Sequence, residues 1–248
     1  MIQYIKKIAP AATLVLAMGL GSCTGDLDVT PIDPSTVMSA DEVALYTKCY
    51  ATMALAGNTG ANGDCDIDGL DGGTSGFVRQ LFNANELPTD EAICCWGDPG
   101  IPAFNYNQYD ASHPMLRGMY YRLTNSISYC NHYLDVCAGI DKQREAEVRF
   151  LRALYYYYMM DLFGNVPFAT EVSTVPQQIK RADLFTWIET EVKDCMTNMA
   201  APSARTSKDK GYNTADQDAA NLLLARMYLN AEVYTGTARW KDAQTYAE

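Results

Sequence analysis

The sequence predicts a mainly α-helical protein built from paired helices of the tetratricopeptide type. Three observations carry that prediction. From Leu116 onward, apolar residues recur at threes and fours through successive segments, which is the spacing of one helix face. Small residues fall where adjacent helices would cross, and short glycine-marked turns divide the segments. Between residues 58 and 114 that pattern is lost, and aspartate, glycine and proline accumulate instead.

The elements follow in chain order. Lys6 and Lys7 precede an apolar run, Ile8 to Leu20, that is too short to span a membrane comfortably and has the form of an export signal. It closes on Leu20-Gly21-Ser22-Cys23, a small-residue pair directly before a cysteine, which is the pattern of a bacterial lipoprotein signal. Residues 1–22 are therefore expected to be removed, and Cys23 to carry the lipid. Residues 23–40, polar and broken by proline, read as an extended lipidated tether. The first helix is expected over 41–57, with Val43, Tyr46, Tyr50, Met53 and Ala54 recurring along it. A loop-rich insert covers 58–114, and within it 77–110 reads as short strands and long loops around Pro88, Pro99 and Pro102.

Helices then follow closely. One is expected over 115–138, where Leu116, Met119, Tyr120, Leu123, Ile127, Cys130, Leu134 and Cys137 form a stripe. The next, 141–163, carries Glu145 four residues before Arg149 and stops at Gly164. Its tyrosines, Tyr155 to Tyr158, point to every side of a helix and so belong mostly to the core. A third spans 183–200. A fourth, 214–234, is opened by the capping box Thr214-Ala215-Asp216-Gln217. The last, 239–248, runs to Glu248 without a stop signal, so the sequence reads as the front part of a longer repeat protein.

Composition narrows the function classes. With 48% apolar residues the chain can build a substantial core. Removing residues 1–22 takes away Lys6 and Lys7 and no acid, leaving 17 basic against 30 acidic side chains, a net charge of −13. Such a surface repels nucleic acid and anionic headgroups, so membrane attachment falls to the acyl chains. Seven cysteines follow Cys23, an odd number without any C-x-x-C spacing, so neither a disulfide framework nor a structural zinc site is expected. Histidine occurs only as His113 and His132, and no nucleophile-elbow, zinc-protease or phosphate-loop motif occurs. No cofactor is called for.

Two motifs remain. Asp64, Asp66 and Asp68, followed by Gly69, match the opening of a calcium loop. Position 12 of that template is Ser75 rather than glutamate, and Gly72, Gly73 and Gly76 break the exit helix. A solvated turn-rich loop is the simpler reading. Glycoside hydrolysis needs two facing carboxylates. Asp90 and Glu91 are adjacent in an extended segment, so they would point apart, and they read instead as residues holding the loop.

Four stretches resemble the SusD/RagB family of glycan-binding lipoproteins of bacterial outer membranes. They are the tail Asp26-Leu27-Asp28-Val29-Thr30-Pro31, the segment from Ser75 to Trp96 (SGFVRQLFNANELPTDEAICCW), the helix EVRFLRALYYYYMMDLFGNVPF (Glu147–Phe168), and LLLARMYLNAEVYTG (Leu222–Gly236). The resemblance runs from the lipoprotein signal to the last residue. It implies a right-handed stack of tetratricopeptide-like helix pairs carrying an irregular, loop-rich ligand face. It implies capture of oligosaccharides at the cell exterior, without hydrolysis, and hand-over to a SusC-like TonB-dependent transporter in the outer membrane. Peptide or other nutrient binding occurs among members too.

The resemblance places an arginine of the ligand site at Arg79. It sets Cys94 where starch-binding relatives carry tryptophan, and Pro99 near their asparagine, so starch specificity does not carry over directly. Trp96, two residues on, falls on the same face if the segment is a strand. Its indole either stacks on a pyranose ring or packs as a wedge beneath the loop. Tyr106 and Tyr109, interleaved with Asn105, Asn107 and Gln108, suit sugar recognition or an edge strand equally. Apart from capture, a hydrolase and a scaffold that only holds protein partners are the other function classes.

Overall fold

The computed structural model describes residues 41–57, 65–172, 174–202 and 212–248. The expected signal 1–22, the tether 23–40 with Cys23, and Asp64 lie outside the described residues. The described chain is mainly helical. The helix α1 is Glu42–Ala54, α2 Phe77–Glu86, α3 Ile101–Asn105, α4 Pro114–Cys137 and α5 Lys142–Phe163. A small antiparallel hairpin follows, β1 (Val166–Phe168) against β2 (Gln177–Ile179), with Val166 paired to Ile179. Then come α6 (Arg181–Met196), α7 (Gln217–Leu229), α8 (Ala231–Thr235) and α9 (Trp240–Ala247).

Aspartates start three of these helices. Asp41 accepts from the Ala44 N–H, Asp141 from those of Gln143 and Arg144, and Asp216 from those of Asp218 and Ala219. Each satisfies donors that the first turn leaves open. The expected capping box at Thr214 is therefore displaced. Asp216 is the cap, and Gln217 turns away to donate to the Met199 carbonyl at 3.2 Å. The helix expected over 214–234 is also divided, with Asn230 ending α7 and beginning α8.

The helix α5 is the central element, and α4, α6 and α1 pack around it. Its tyrosines explain how. Tyr155, Tyr156 and Tyr157 are all buried, and successive positions 100° apart send them to three different neighbours. The Tyr155 hydroxyl donates to the Cys49 carbonyl of α1 at 2.8 Å. Tyr156 donates to the Ala169 carbonyl beyond β1 and accepts from the Ala169 N–H. The Tyr157 oxygen accepts from Arg226 Nε of α7 at 3.0 Å. Every buried phenol thus keeps a polar partner, as burial requires. Glu191 of α6 binds Arg149 and Arg152 of α5, at 2.7 and 2.9 Å, and locks that helix pair. These stacked pairs form the tetratricopeptide-like array.

The insert departs from expectation. Residues 77–86 form a helix where short strands were expected, and 101–105 form a second. The strands lie instead at 166–168 and 177–179. In α2 the buried side chains include Gln80 and Asn83 beside Phe77, so polar residues on the inner face hide the apolar period. Gln80 donates to the Thr74 carbonyl and Asn83 to the Met115 sulfur, which accounts for their burial. Asp90 and Glu91 are exposed, and the turn after α2 is held by Thr89, whose hydroxyl donates to the Glu86 carbonyl and accepts from the Glu91 N–H. Among the described residues no helix is long and apolar enough to cross a membrane.

Candidate functional site

The loop 65–76 owes its shape to one buried cation. Arg122 of α4 is wholly buried, and its guanidinium donates to Asp66 Oδ1 at 2.6 Å, to the Ser75 carbonyl at 3.0 Å and to the Ala56 carbonyl at 3.2 Å. Lys48 Nζ binds the other oxygen of Asp66 at 3.1 Å. The Asp66 carboxylate is thus spent on two cations, while Asp68 is exposed. Among the described residues no cluster of three or more His, Cys, Asp or Glu side chains could hold a metal. Of the calcium-like aspartates, Asp66 is the counter-ion of a buried arginine.

That loop and the N-terminus of α2 position Arg79. One guanidinium nitrogen donates to the Gly73 carbonyl at 2.6 Å, and another binds the Asp98 carboxylate. The guanidinium carbon lies 4.8 Å from the centre of the Trp96 ring. Arg79 Nε is buried without a hydrogen-bond partner among the described residues. Trp96 is 64% exposed, so it is no buried wedge, although its segment is not a strand. The indole is thus backed by a cation that Asp98 binds, and much of the ring is exposed. A guanidinium so placed stabilises the ring and fixes its tilt.

The segment carrying Trp96 is fastened from α3. Asn105 Nδ2 donates to the Cys94 carbonyl at 2.8 Å, and its Oδ1 accepts from the Cys94 N–H at 3.3 Å. Beneath lies a small separate core of Leu87, Ile101, Phe104 and Met115. His113 caps α4, with Nδ1 accepting from the Leu116 N–H and Nε2 facing the Gly100 carbonyl at 2.9 Å. Gly100 has φ +99, and a Cβ there would stand 2.8 Å from the His113 ring.

A cavity of about 420 Å³ opens beside this platform. Asp71, Thr74, Gln80, Asp98, Pro99 and Arg117 are among its lining. Asp98 thus borders the cavity while binding Arg79, although neither Arg79 nor Trp96 is part of the lining. Tyr106 and Tyr109, 69% and 45% exposed, follow α3. Tyr109 sets its edge against Phe104, at 5.3 Å, and near His113. Among the described residues no ring contact joins either tyrosine to Trp96; of the four expected ligand residues, Arg79 and Trp96 are brought together. Sequence reasoning missed Asp98, Asp71 and Arg117, which stand in loops or on an outer helix face without any periodic signal.

No family model matches the chain. The starch-binding protein SusD of Bacteroides thetaiotaomicron is 39% identical over 252 residues, covering 99% of this chain and 45% of that protein. The chain therefore spans about half the length of the curated relative it matches. A SusD-like carbohydrate binding protein from Bacteroides fragilis superposes with a TM-score of 0.59 at 18% identity, over 83% of this chain and 38% of that one. A laminarin binding SusD-like protein gives 0.57 at 20% identity, over 83% and 41%. The two solved structures share the fold, and the chain is similar over nearly its whole length to the curated SusD.

Proposed function

We propose that the chain is the glycan-capturing part of a lipoprotein of the outer membrane that faces the cell exterior. In this reading Cys23 carries the lipid, and a SusC-like TonB-dependent transporter receives the captured oligosaccharide, which is not cleaved. The observation that carries the reading is the exposed Trp96 indole backed by Arg79, whose partner Asp98 borders a polar cavity. A pyranose presents a face of C–H groups and a rim of hydroxyls. The indole suits the former, and Asp71, Asp98 and Arg117 suit the latter. The whole-length relative is named for starch binding and one structural neighbour for laminarin binding, which supports glucan-type oligosaccharides as the ligand class.

The test is retardation of the purified protein in gels containing a glycan panel, with reducing ends assayed in parallel. Retardation without new reducing ends is expected, and Trp96→Ala weakens it by about 2- to 10-fold, the value of one aromatic stack, with helical circular dichroism unchanged. New reducing ends would establish a hydrolase. Wild-type protein that no glycan retards would leave peptide capture or a pure scaffold.

A further inference from the structure

We infer that Cys94 and Cys95 form a reversible disulfide that switches the Trp96 platform; the effect on ligand rests on the proposed glycan reading, the disulfide does not. Both cysteines are free thiols, consecutive in a segment without regular structure, and they directly precede Trp96. Their environments differ. Cys95 is exposed, whereas Cys94 is half-buried and packs on the small core of Leu87, Ile101, Phe104 and Met115. Cys95 is therefore the thiol that an incoming reagent meets, and Cys94 is the one held in reserve beside it.

The chemistry balances with a low-molecular-weight disulfide as the oxidant. The Cys95 thiolate attacks one sulfur of that disulfide, forming a mixed disulfide and releasing one thiol. The Cys94 thiolate then attacks the Cys95 sulfur, the Cys94–Cys95 bond forms and the second thiol departs. The protein loses two electrons and two protons, and the reagent is reduced to two thiols.

Geometry makes the product labile. Consecutive Cα atoms stand about 3.8 Å apart, below the usual span of about 4.4–6.8 Å for a disulfide. A strained bond of this kind is readily reduced, which marks it as regulatory and not structural. Its formation also has a mechanical consequence. To reach Cys95, the Cys94 side chain must leave the small core, and the Cys94 peptide must turn against the two hydrogen bonds from Asn105. The next residue is Trp96, whose ring is seated on Arg79. Oxidation therefore unseats the platform.

The full chain, treated with oxidised glutathione, is denatured, alkylated and digested with trypsin. The peptide from Gln80 to Arg117 contains both cysteines and no other. The expected peptide is lighter by two hydrogens and takes no alkyl group. A peptide alkylated at both positions, or one that keeps glutathione, overturns the proposal. Tryptophan emission is expected to shift on oxidation and return with dithiothreitol, in wild-type protein but not in Cys94→Ser or Trp96→Phe. Emission that ignores the disulfide overturns the coupling. Glycan affinity should fall about fivefold on oxidation. If no glycan binds in either redox state, the functional reading fails, while peptide mass and emission still decide the switch.

Discussion

Replacing Asp66 by alanine asks whether the acidic loop is a metal site or the counter-ion of Arg122. The side chains of Asp66 and Arg122 are 2% and 0% exposed, so the variant strands a buried guanidinium. Arg122 retains the Ser75 and Ala56 carbonyls, which are dipoles and not charges. Breaking a buried pair from one side costs about 3–5 kcal/mol, and the partly exposed Lys48 contact adds at most about 1 kcal/mol. For a domain of this size each kcal/mol is worth about 2–4 °C, so Tm should fall by about 10 °C in thermal unfolding followed by helical circular dichroism. Replacing both partners, Arg122→Met with Asp66→Leu, should recover most of that loss, because an apolar pair leaves no unmatched charge. A shift under about 2 °C for Asp66→Ala would refute the counter-ion argument. So would millimolar calcium raising Tm in the wild type and not in the variant. The same loop brings Asp71 and Thr74 to the cavity, so the variant should also bind glycan more weakly.

Two further perturbations probe the frame around the site. Glu189 is partly buried, which pushes its carboxyl up, but hydrogen bonds from Arg239, Lys193 and Tyr228 outweigh burial and bring it down to about 2. Its folded value lies below the unfolded one, so the stabilisation is complete above about pH 4.5 and is lost as pH falls toward 2. At full effect that shift is worth about 3 kcal/mol, reduced to about 1–2 kcal/mol by screening, and Glu189→Gln should flatten the acid limb of a stability-against-pH curve by that amount. Gly100→Ala combines a left-handed backbone with a clash on the His113 ring, and should cost about 1–3 kcal/mol in urea unfolding; an unchanged midpoint would show that the His113 cap is dispensable.

The helical frame was legible because its period survives in one dimension. The stripe Leu116 to Cys137 lies on α4, and Asp141 and Gly164 bound α5. The insert was less legible for a physical reason. Its helix α2 buries Gln80 and Asn83, whose partners at Thr74 and Met115 come from other segments that the local pattern does not show. The partner of Asp66 was hidden in the same way. The spacing of Asp66 from Asp64 and Asp68 is a local fact, whereas its role depends on Arg122, 56 residues away. Arg79 was placed by resemblance and Trp96 by its spacing from Cys94, but their contact, and the Asp98 that binds Arg79, needed the folded chain.

The platform works only if Trp96 is ordered before ligand arrives, and Asn105 is the residue that provides this order. Its side chain takes both the N–H and the carbonyl of Cys94, replacing the strand partner that the segment lacks. Two such bonds hold against local opening by about 1–3 kcal/mol. In Asn105→Ala the loop must be ordered at the moment of binding, and affinity for glycan should drop by up to about tenfold. Global stability should hardly move, because Ile101 and Phe104 remain seated in the small core. Amide exchange should quicken at residues 94–98 and not in α4. Asn105 acts on the proposed ligand surface through the Cys94 backbone, two residues before Trp96, so it is a positioning residue. Its loss should accordingly add nothing in a Trp96→Ala background. Additive losses in that double variant would mean that Asn105 meets the ligand itself, and the preorganised-platform argument would have to be abandoned.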